Sequence, residues 1–390
     1  MDCKVTRREF AKLAAGAGAA VAGLALAPAA MAADSAKADS AKAASAKKES
    51  SKKDASKKSD GATREFTDSL GRVVQVPEQI TAVAPSGYLA QQVLMTVCPD
   101  QIVVVASKLT DDQVHFFGDK YAGLEEVGAI FGAKGTFNRE AAAASGAQIV
   151  IDVGEEKQGM AEDLDNLQDQ LGIPCVHVAS TLATYSDCYK TLGELIGLPE
   201  VKERAEGIAE YCASAYDEIS GVMADIPEDQ RTSVLYLTGE DGLSVLAKGS
   251  YQANVIDMVC NNAAVVDDPS SKSNQTSMEQ IANWNPEFVI FAPQSAYDAA
   301  ATDPTWQTLP AITNGDYSEV PSKPFNWLNG PPSVNQVLGM QWLPRVLYAD
   351  KFDDDMYETV ATYYKTMYLY DLGEDEFNEV IARAVPKNQQ

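Results

Sequence analysis

Apolar side chains fall into short continuous runs at residues 80–84, 102–106, 149–153 and 175–178, and again at 234–237, 263–266 and 288–291. Segments of helical periodicity separate them. Runs of four or five β-branched or aliphatic residues, parted by helices, predict parallel strands buried on both faces. Ahead of them, Arg64-Glu65-Phe66-Thr67-Asp68 and Arg72-Val73-Val74-Gln75-Val76-Pro77 flank Ser69-Leu70-Gly71, the signature of a β-hairpin.

A different period governs the middle of the chain. From Pro199 to about Met223, apolar or small residues recur at Val201, Ala205, Ile208, Cys212, Ala215, Ile219 and Val222. Alternating steps of four and three place them in one stripe of a single helix. Twenty-five residues make a rod of about 37 Å, long enough to bridge two lobes.

The two sides of that helix echo one another. Glu140 precedes Ile151 by eleven residues, and Glu279 precedes Ile290 by eleven. Each unit is a helix with a glutamate in its first turn, followed by a buried strand. A glutamate there is stabilised by the helix dipole alone, typically by about 0.3–1 kcal/mol.

The N-terminal segment has another logic. Thr6-Arg7-Arg8-Glu9-Phe10-Ala11-Lys12 leads into an Ala/Gly run and then Ala30-Met31-Ala32, resembling a twin-arginine export signal over residues 1–33. Residues 34–62 contain no large apolar side chain and read as a disordered Lys/Ser/Ala tether. The organisation expected beyond it is an N-terminal lobe at 63–183, a connecting helical segment at 184–226 and a C-terminal lobe at 227–390. An exported body is expected, in the periplasm or cell envelope, with an N-terminal anchor if the signal stays uncleaved.

Charge and chemistry narrow the function. Residues 63–390 hold 19 Lys/Arg against 49 Asp/Glu, a balance that repels nucleic acid. Two histidines argue against a His-built zinc or haem site. Cys98, Cys175, Cys188, Cys212 and Cys260 follow Cys3 without any CxxC spacing, so free buried thiols are expected. No GxSxG, HExxH or GxGxxG context appears, and His115 and His177 have no acidic or serine partner placed by spacing. An enzyme is not expected, nor a resident cofactor or protein-bound metal. A tethered surface scaffold or adhesin is the reading from a different class.

Candidate ligand contacts come from strand ends. The run at 80–84 leads through Pro85-Ser86-Gly87-Tyr88 into a helix, and Lys248-Gly249-Ser250-Tyr251 precedes another. Two helix N-termini facing across a cleft would suit an anion, with Lys134 in a Gly-rich loop adding a cation. Simple N-capping by Ser86 and Ser250 is the alternative. Gly154 and Glu155 follow a strand and line the expected mouth, unless Glu155 is merely solvated. Tyr88, Tyr251 and Trp327, the last beside Asn326, are apolar walls or core aromatics.

These features in this order resemble the class III substrate-binding proteins of ABC importers, the cobalamin and ferric-siderophore type. Asp68-Ser69-Leu70-Gly71-Arg72-Val73-Val74, the paired glutamate units and the long helix carry the resemblance. So does Phe325-Asn326-Trp327-Leu328-Asn329-Gly330-Pro331-Pro332-Ser333, followed by Leu338-Gly339-Met340-Gln341-Trp342-Leu343, similar to a late segment of the iron-complex and molybdate/tungstate branches. The resemblance implies an α/β fold of two Rossmann-like lobes with central parallel sheets, joined by one long helix and holding ligand in the cleft between them. It also implies that Glu140 and Glu279 dock onto arginines of a membrane permease. The transported ligand expected is a ferric complex, with a molybdate or tungstate oxyanion as the alternative and haem or cobalamin further off. Nothing signals oligomerisation, so a monomer is expected.

Overall fold

The computed structural model describes residues 62–131, 136–269 and 273–390. The twin-arginine segment, all of the tether but Ala62, and Lys134 lie outside the described residues.

Strands β1 (Thr63–Thr67) and β2 (Val73–Pro77) form the expected antiparallel hairpin, with Phe66 opposite Val74. The N-terminal sheet is parallel and three-stranded, built from β3 (Val83–Pro85), a later strand at Ile149–Gly154 and one at Cys175–Ala179. Helix α1 (Tyr88–Val97) follows β3. The run at 102–106 yields only β4 (Val104–Val105), paired in parallel with β5 (Glu125–Glu126), while Ile102 bridges to Val83. Between β4 and β5 lies α2 (Asp111–Phe117), closed by a capping box of Thr110 and Gln113. Helix α3 (Arg139–Ala144) leads to β6 (Ile149–Gly154), then α4 (Met160–Leu171), β7 (Cys175–Ala179) and α5 (Tyr185–Ile196).

The long helix is α6 (Pro199–Ala224), 26 residues with Pro199 at its first turn. Its buried stripe runs Val201, Ala205, Ile208, Cys212, Ala215, Ile219, and ends on Met223 where the sequence pattern pointed to Val222. It packs along α5, where Gly193 is required by proximity: a Cβ there would stand 2.9 Å from the Cβ of Ala205.

The second sheet has β8 (Ser233–Thr238) at its centre. Short strands β9 (Ser244–Val245), β10 (Asn261–Asn262) and β11 (Asn274–Gln275) extend it, with α7 (Asn254–Val259) ahead of β10. Helix α8 (Met278–Trp284) leads to β12 (Phe288–Phe291), and β12 pairs in parallel with both β8 and β13 (Tyr317–Glu319). A strand at 263–266 is not formed. Asn262 turns its side chain inward, donating to Asp257 at 2.8 Å and accepting from the Ala264 N–H at 3.1 Å, and the ladder stops there. Helices α9 (Tyr297–Ala300) and α10 (Pro310–Thr313) precede β13. The C-terminal helices α11 (Asn335–Leu347), α12 (Met356–Tyr363) and α13 (Glu374–Ile381) complete the order.

Alternation along the strands sorts side chains into separate cores. Ile149, Ile151 and Val153 of β6 join Val234 and Tyr236 of β8 and Phe288 and Ile290 of β12 in one cluster that includes the α6 stripe. Val150 packs to the far side of the first sheet, and Leu235, Leu237, Val289 and Phe291 to the far side of the second. Each sheet is thus buried on both faces, and one core runs through α6 from lobe to lobe. Arg204 of α6 reinforces the join. Its guanidinium donates to the Thr96 carbonyl at the end of α1 and to those of Thr366 and Met367 at 3.1 and 3.2 Å. Cys98, Cys175, Cys188, Cys212 and Cys260 are free and buried, and burial pushes the first three thiols up to about 12.

Candidate functional site

Parallel strands ending at one edge of each sheet set the place to look. On the N-terminal side, β3 ends at Pro85 and α1 begins at Tyr88, with Gly87 as N-cap and no side-chain cap. Ser86 does not cap the helix. It is buried, its N–H donates to the Ile151 carbonyl at 3.0 Å, and its hydroxyl donates to Asp152. The other Asp152 oxygen meets His177 Nδ1 at 2.7 Å. The His177 N–H reaches Asp68 at 3.3 Å, and Asp68 forms a buried ion pair with Arg72 at 3.0 Å.

A polar chain therefore runs from the hairpin to the start of α1. No local pattern announces it, because 66 residues separate Ser86 from Asp152 and 25 separate Asp152 from His177. The imidazole does not stand between carboxylate and hydroxyl, as activation of a serine nucleophile by a triad requires. The carboxylate occupies that position.

On the other side, Ser250 precedes a short 3-10 turn, Tyr251–Ala253, without capping it, and its buried hydroxyl meets no hydrogen-bond partner among the described residues. Gly249 is exposed, with φ of 81°, and its N–H donates to Asp257 at 2.7 Å. Helix α7 behind the turn has only six residues. The paired helix N-termini expected from the sequence therefore reduce to one, at α1. Tyr251 does lie close to the first lobe: burial first, and then the exposed Glu155 carboxylate just after Gly154, push its phenol up to about 12, with Asp152 adding to the effect. The end of β6 and the turn after β9 thus face one another.

A cavity of about 390 Å³ opens between the N-terminal lobe and the 321–333 loop. From α1 it takes Tyr88, Gln91 and Gln92, and from the following loop and α2 it takes Ser107, Lys108, Thr110 and Gln113. Phe325, Gly330 and Pro331 close it from the opposite side. Gln113 donates across to the Pro324 carbonyl at 3.3 Å, and Ser333 to the Leu89 carbonyl at 3.2 Å. Tyr88 is 48% exposed, an unusual state for so large an aromatic side chain.

Asn326 and Trp327 do not wall this cavity as expected. Trp327 is fully buried, edge-on to Trp342 at 6.2 Å, and its indole donates to the Lys323 carbonyl at 3.3 Å. Asn326 organises the loop, accepting from the N–H groups of Leu328 and Asn329 at 2.9 Å and donating to the Tyr236 phenol at 3.0 Å. The loop sits directly on α11 because Gly339 offers no Cβ; one there would fall 2.1 Å from the Trp327 carbonyl oxygen. Phe325, two residues before Trp327, is the aromatic of this segment that reaches the cavity.

Glu140 and Glu279 are exposed in the first turns of α3 and α8. Asn138 caps α3, accepting from the Ala141 N–H at 3.0 Å, and Ser277 caps α8, accepting from the Gln280 N–H at 3.2 Å. The helices lead to β6 and β12, equivalent positions in the two sheets. Among the described residues, no group of three or more His, Cys, Asp or Glu stands together to hold a metal ion. No helix among them is long and apolar enough to cross a membrane.

A family model described as periplasmic binding protein matches residues 149–324, from β6 to the start of the cavity-closing loop. The chain has the fold of a periplasmic solute-binding protein. The resemblance read from the sequence is borne out by that match and by solved structures. An ABC transporter solute-binding protein from Sulfurospirillum deleyianum superposes with a TM-score of 0.74 at 23% identity, covering 81% of this chain and 98% of that one. The molybdate periplasmic binding protein MolA of Haemophilus influenzae, bound to molybdate, gives 0.60 at 20% identity, covering 80% and 99%. The periplasmic vitamin B12 binding protein BtuF of Vibrio cholerae gives 0.52 at 19%, covering 69% and 97%. No curated protein sequence matches the chain. At these identities the binding-protein fold is shared, two α/β lobes included, while the relatives' ligands differ among themselves.

Proposed function

We propose that the protein is the extracytoplasmic substrate-binding component of an ABC importer, capturing a ferric-siderophore-type metal complex and delivering it to a membrane permease. The observation that carries the ligand class is the cavity between Tyr88 and Phe325. Its volume of about 390 Å³ lies in the range of small-molecule sites, about 300–1,000 Å³. Aromatic and amide side chains dominate its lining, a surface suited to an organic chelate. A bare metal ion finds no cluster of three His, Cys, Asp or Glu among the described residues.

Export by the twin-arginine route and a tethered, monomeric body fit this role, as does the absence of a nucleophile triad around Ser86. Glu140 and Glu279, exposed at equivalent positions of the two lobes, are the proposed contacts with the permease. One observation favours a second ligand class: among the described residues no side chain caps the N-terminus of α1 at Gly87, and the N–H groups of a helix start suit an oxyanion such as molybdate or tungstate.

The test is thermal unfolding of the purified protein with molybdate, tungstate, ferric siderophores, haem and cobalamin in turn. A ligand at a hundred times its Kd adds about 2.7 kcal/mol, a rise of about 3–4 °C for a chain of this size. A shift with ferric chelates alone supports the proposal. A shift with molybdate or tungstate alone transfers the role to an oxyanion, and no shift with any ligand points to a chelate outside the panel first and to a scaffold second.

A further inference from the structure

Spacing along the chain gives His115 no acidic partner, but the fold brings one from 261 residues away. His115 Nε2 meets Glu376 Oε1 at 2.6 Å. The Tyr370 hydroxyl lies 3.0 Å from the same nitrogen and donates to Glu376 Oε2 at 2.9 Å. An imidazole nitrogen, a carboxylate and a phenol oxygen thus close a triangle at the surface, with the His115 side chain 57% exposed. Its third donor is a phenol, so the triangle is not a cluster of three His, Cys, Asp or Glu.

Packing holds these donors in place. His115 belongs to α2, whose Phe116 sits edge-on to Tyr364 and Tyr370 at 5.5 and 5.0 Å, and whose Phe117 meets Tyr368 at 5.2 Å. Tyr370 follows a π-helical turn, Tyr364–Tyr368, and then Leu369 with φ of 58°, a left-handed conformation that leucine rarely adopts. Glu376 comes to the same spot from the first turn of α13. Backbone strain of this kind persists where the surroundings over-determine it, and such places cluster at functional sites.

The donor set has its own chemistry. Imidazole nitrogen beside oxygen donors suits first-row transition ions. Donors about 2.0–2.2 Å from a common ion stand about 3 Å apart, close to the 2.6–3.0 Å of this triangle. Nε2 offers its lone pair when the ring proton sits on Nδ1. The phenol proton passes to solvent as an ion takes its place.

We propose that His115, Tyr370 and Glu376 form a site for a divalent first-row transition ion, separate from the inter-lobe cavity. Such an ion fastens α2 to the C-terminal segment. Gln113 of α2 lines the cavity and donates to the Pro324 carbonyl, so a bound ion also steadies one wall of the ligand site, whatever the ligand is.

The test is calorimetry of the full chain with Cu²⁺, Ni²⁺, Zn²⁺ and, as a control, Mg²⁺, joined to electron paramagnetic resonance of the copper form. One ion is expected per chain, tightest for Cu²⁺, with Mg²⁺ left unbound. The copper spectrum is expected to show one imidazole nitrogen. His177, the other histidine of the chain, is buried and bonded to Asp152, so that signal reports on His115. Even outer-shell partners of a metal are worth about 10–100-fold in affinity, so His115→Ala is expected to cost about a hundredfold or more, and Tyr370→Phe and Glu376→Gln about tenfold or more each. Hydrogen exchange across residues 111–117 is expected to slow when Zn²⁺ is added to the wild-type protein, but not to His115→Ala. No binding by the wild-type protein, or equal affinity in His115→Ala, overturns the site. A loss confined to His115→Ala, with Tyr370→Phe and Glu376→Gln like wild type, reduces it to a lone surface histidine and also overturns it.

Discussion

The two lobes match where they face outward and diverge where they face each other. Capped helices carrying Glu140 and Glu279 lead into β6 and β12 at equivalent points of the two sheets. At the cleft, the N-terminal lobe satisfies its serine: Ser86 donates to Asp152, which is fixed by His177. The C-terminal lobe leaves Ser250 buried ahead of a 3-10 turn, without a hydrogen-bond partner among the described residues. The cavity is equally uneven, with Tyr88, Gln92 and Gln113 from one lobe and Phe325, Gly330 and Pro331 from the other. A shared rim suits a symmetric partner surface, and an uneven cleft suits an asymmetric ligand.

That contrast is open to attack by substitution. The largest effect is expected at the rim: Glu140→Ala with Glu279→Ala leaves the Kd for ligand unchanged but abolishes uptake in a transport assay. Normal uptake by the double variant would remove the docking role. Within the N-terminal lobe, Asp152→Ala strips both Ser86 and His177 of their partner. It should cost about 3 kcal/mol or more in urea unfolding.

Gly339→Ala forces the cavity-closing loop off α11 and should destabilise by about 1–3 kcal/mol. Ser86→Ala leaves one Asp152 oxygen unpaired, at about 1–2 kcal/mol. The smallest effect sharpens the comparison most. Ser250→Ala removes a hydroxyl that bonds to nothing among the described residues, so its stability should stay within about 0.5 kcal/mol of wild type or rise. A loss at Ser250 equal to that at Ser86 would mean that the cleft faces are alike after all.

Much of the frame was legible in the chain. The runs at 149–153, 175–178 and 288–291 are strands because continuous apolar stretches suit a sheet buried on both faces. The stripe from Val201 to Ile219 is one helix because its period allows nothing else. The glutamates sit in first turns as their spacing indicated. The site was far less legible. Trp327 stood as either a cleft wall or a core aromatic, and its burial against Trp342 and over Gly339, which only the packed fold brings to it, makes it core. Ser86 stood as a ligand contact or a helix cap, and it is no cap, because a carboxylate 66 residues away takes its hydroxyl. Gln92 and Phe325 carried no signal, because a cavity assembled from segments more than two hundred residues apart has no local pattern. Lys134 lies outside the described residues.

The central claim is that a bulky metal chelate sits between the lobes, and its most direct test is a crystal structure with a ferric tris-hydroxamate, using anomalous scattering at the iron edge. A single iron peak in the cavity between Tyr88 and Phe325 is the expected result. An iron peak elsewhere on the surface, or molybdate displacing the chelate at the N-terminus of α1, would contradict it.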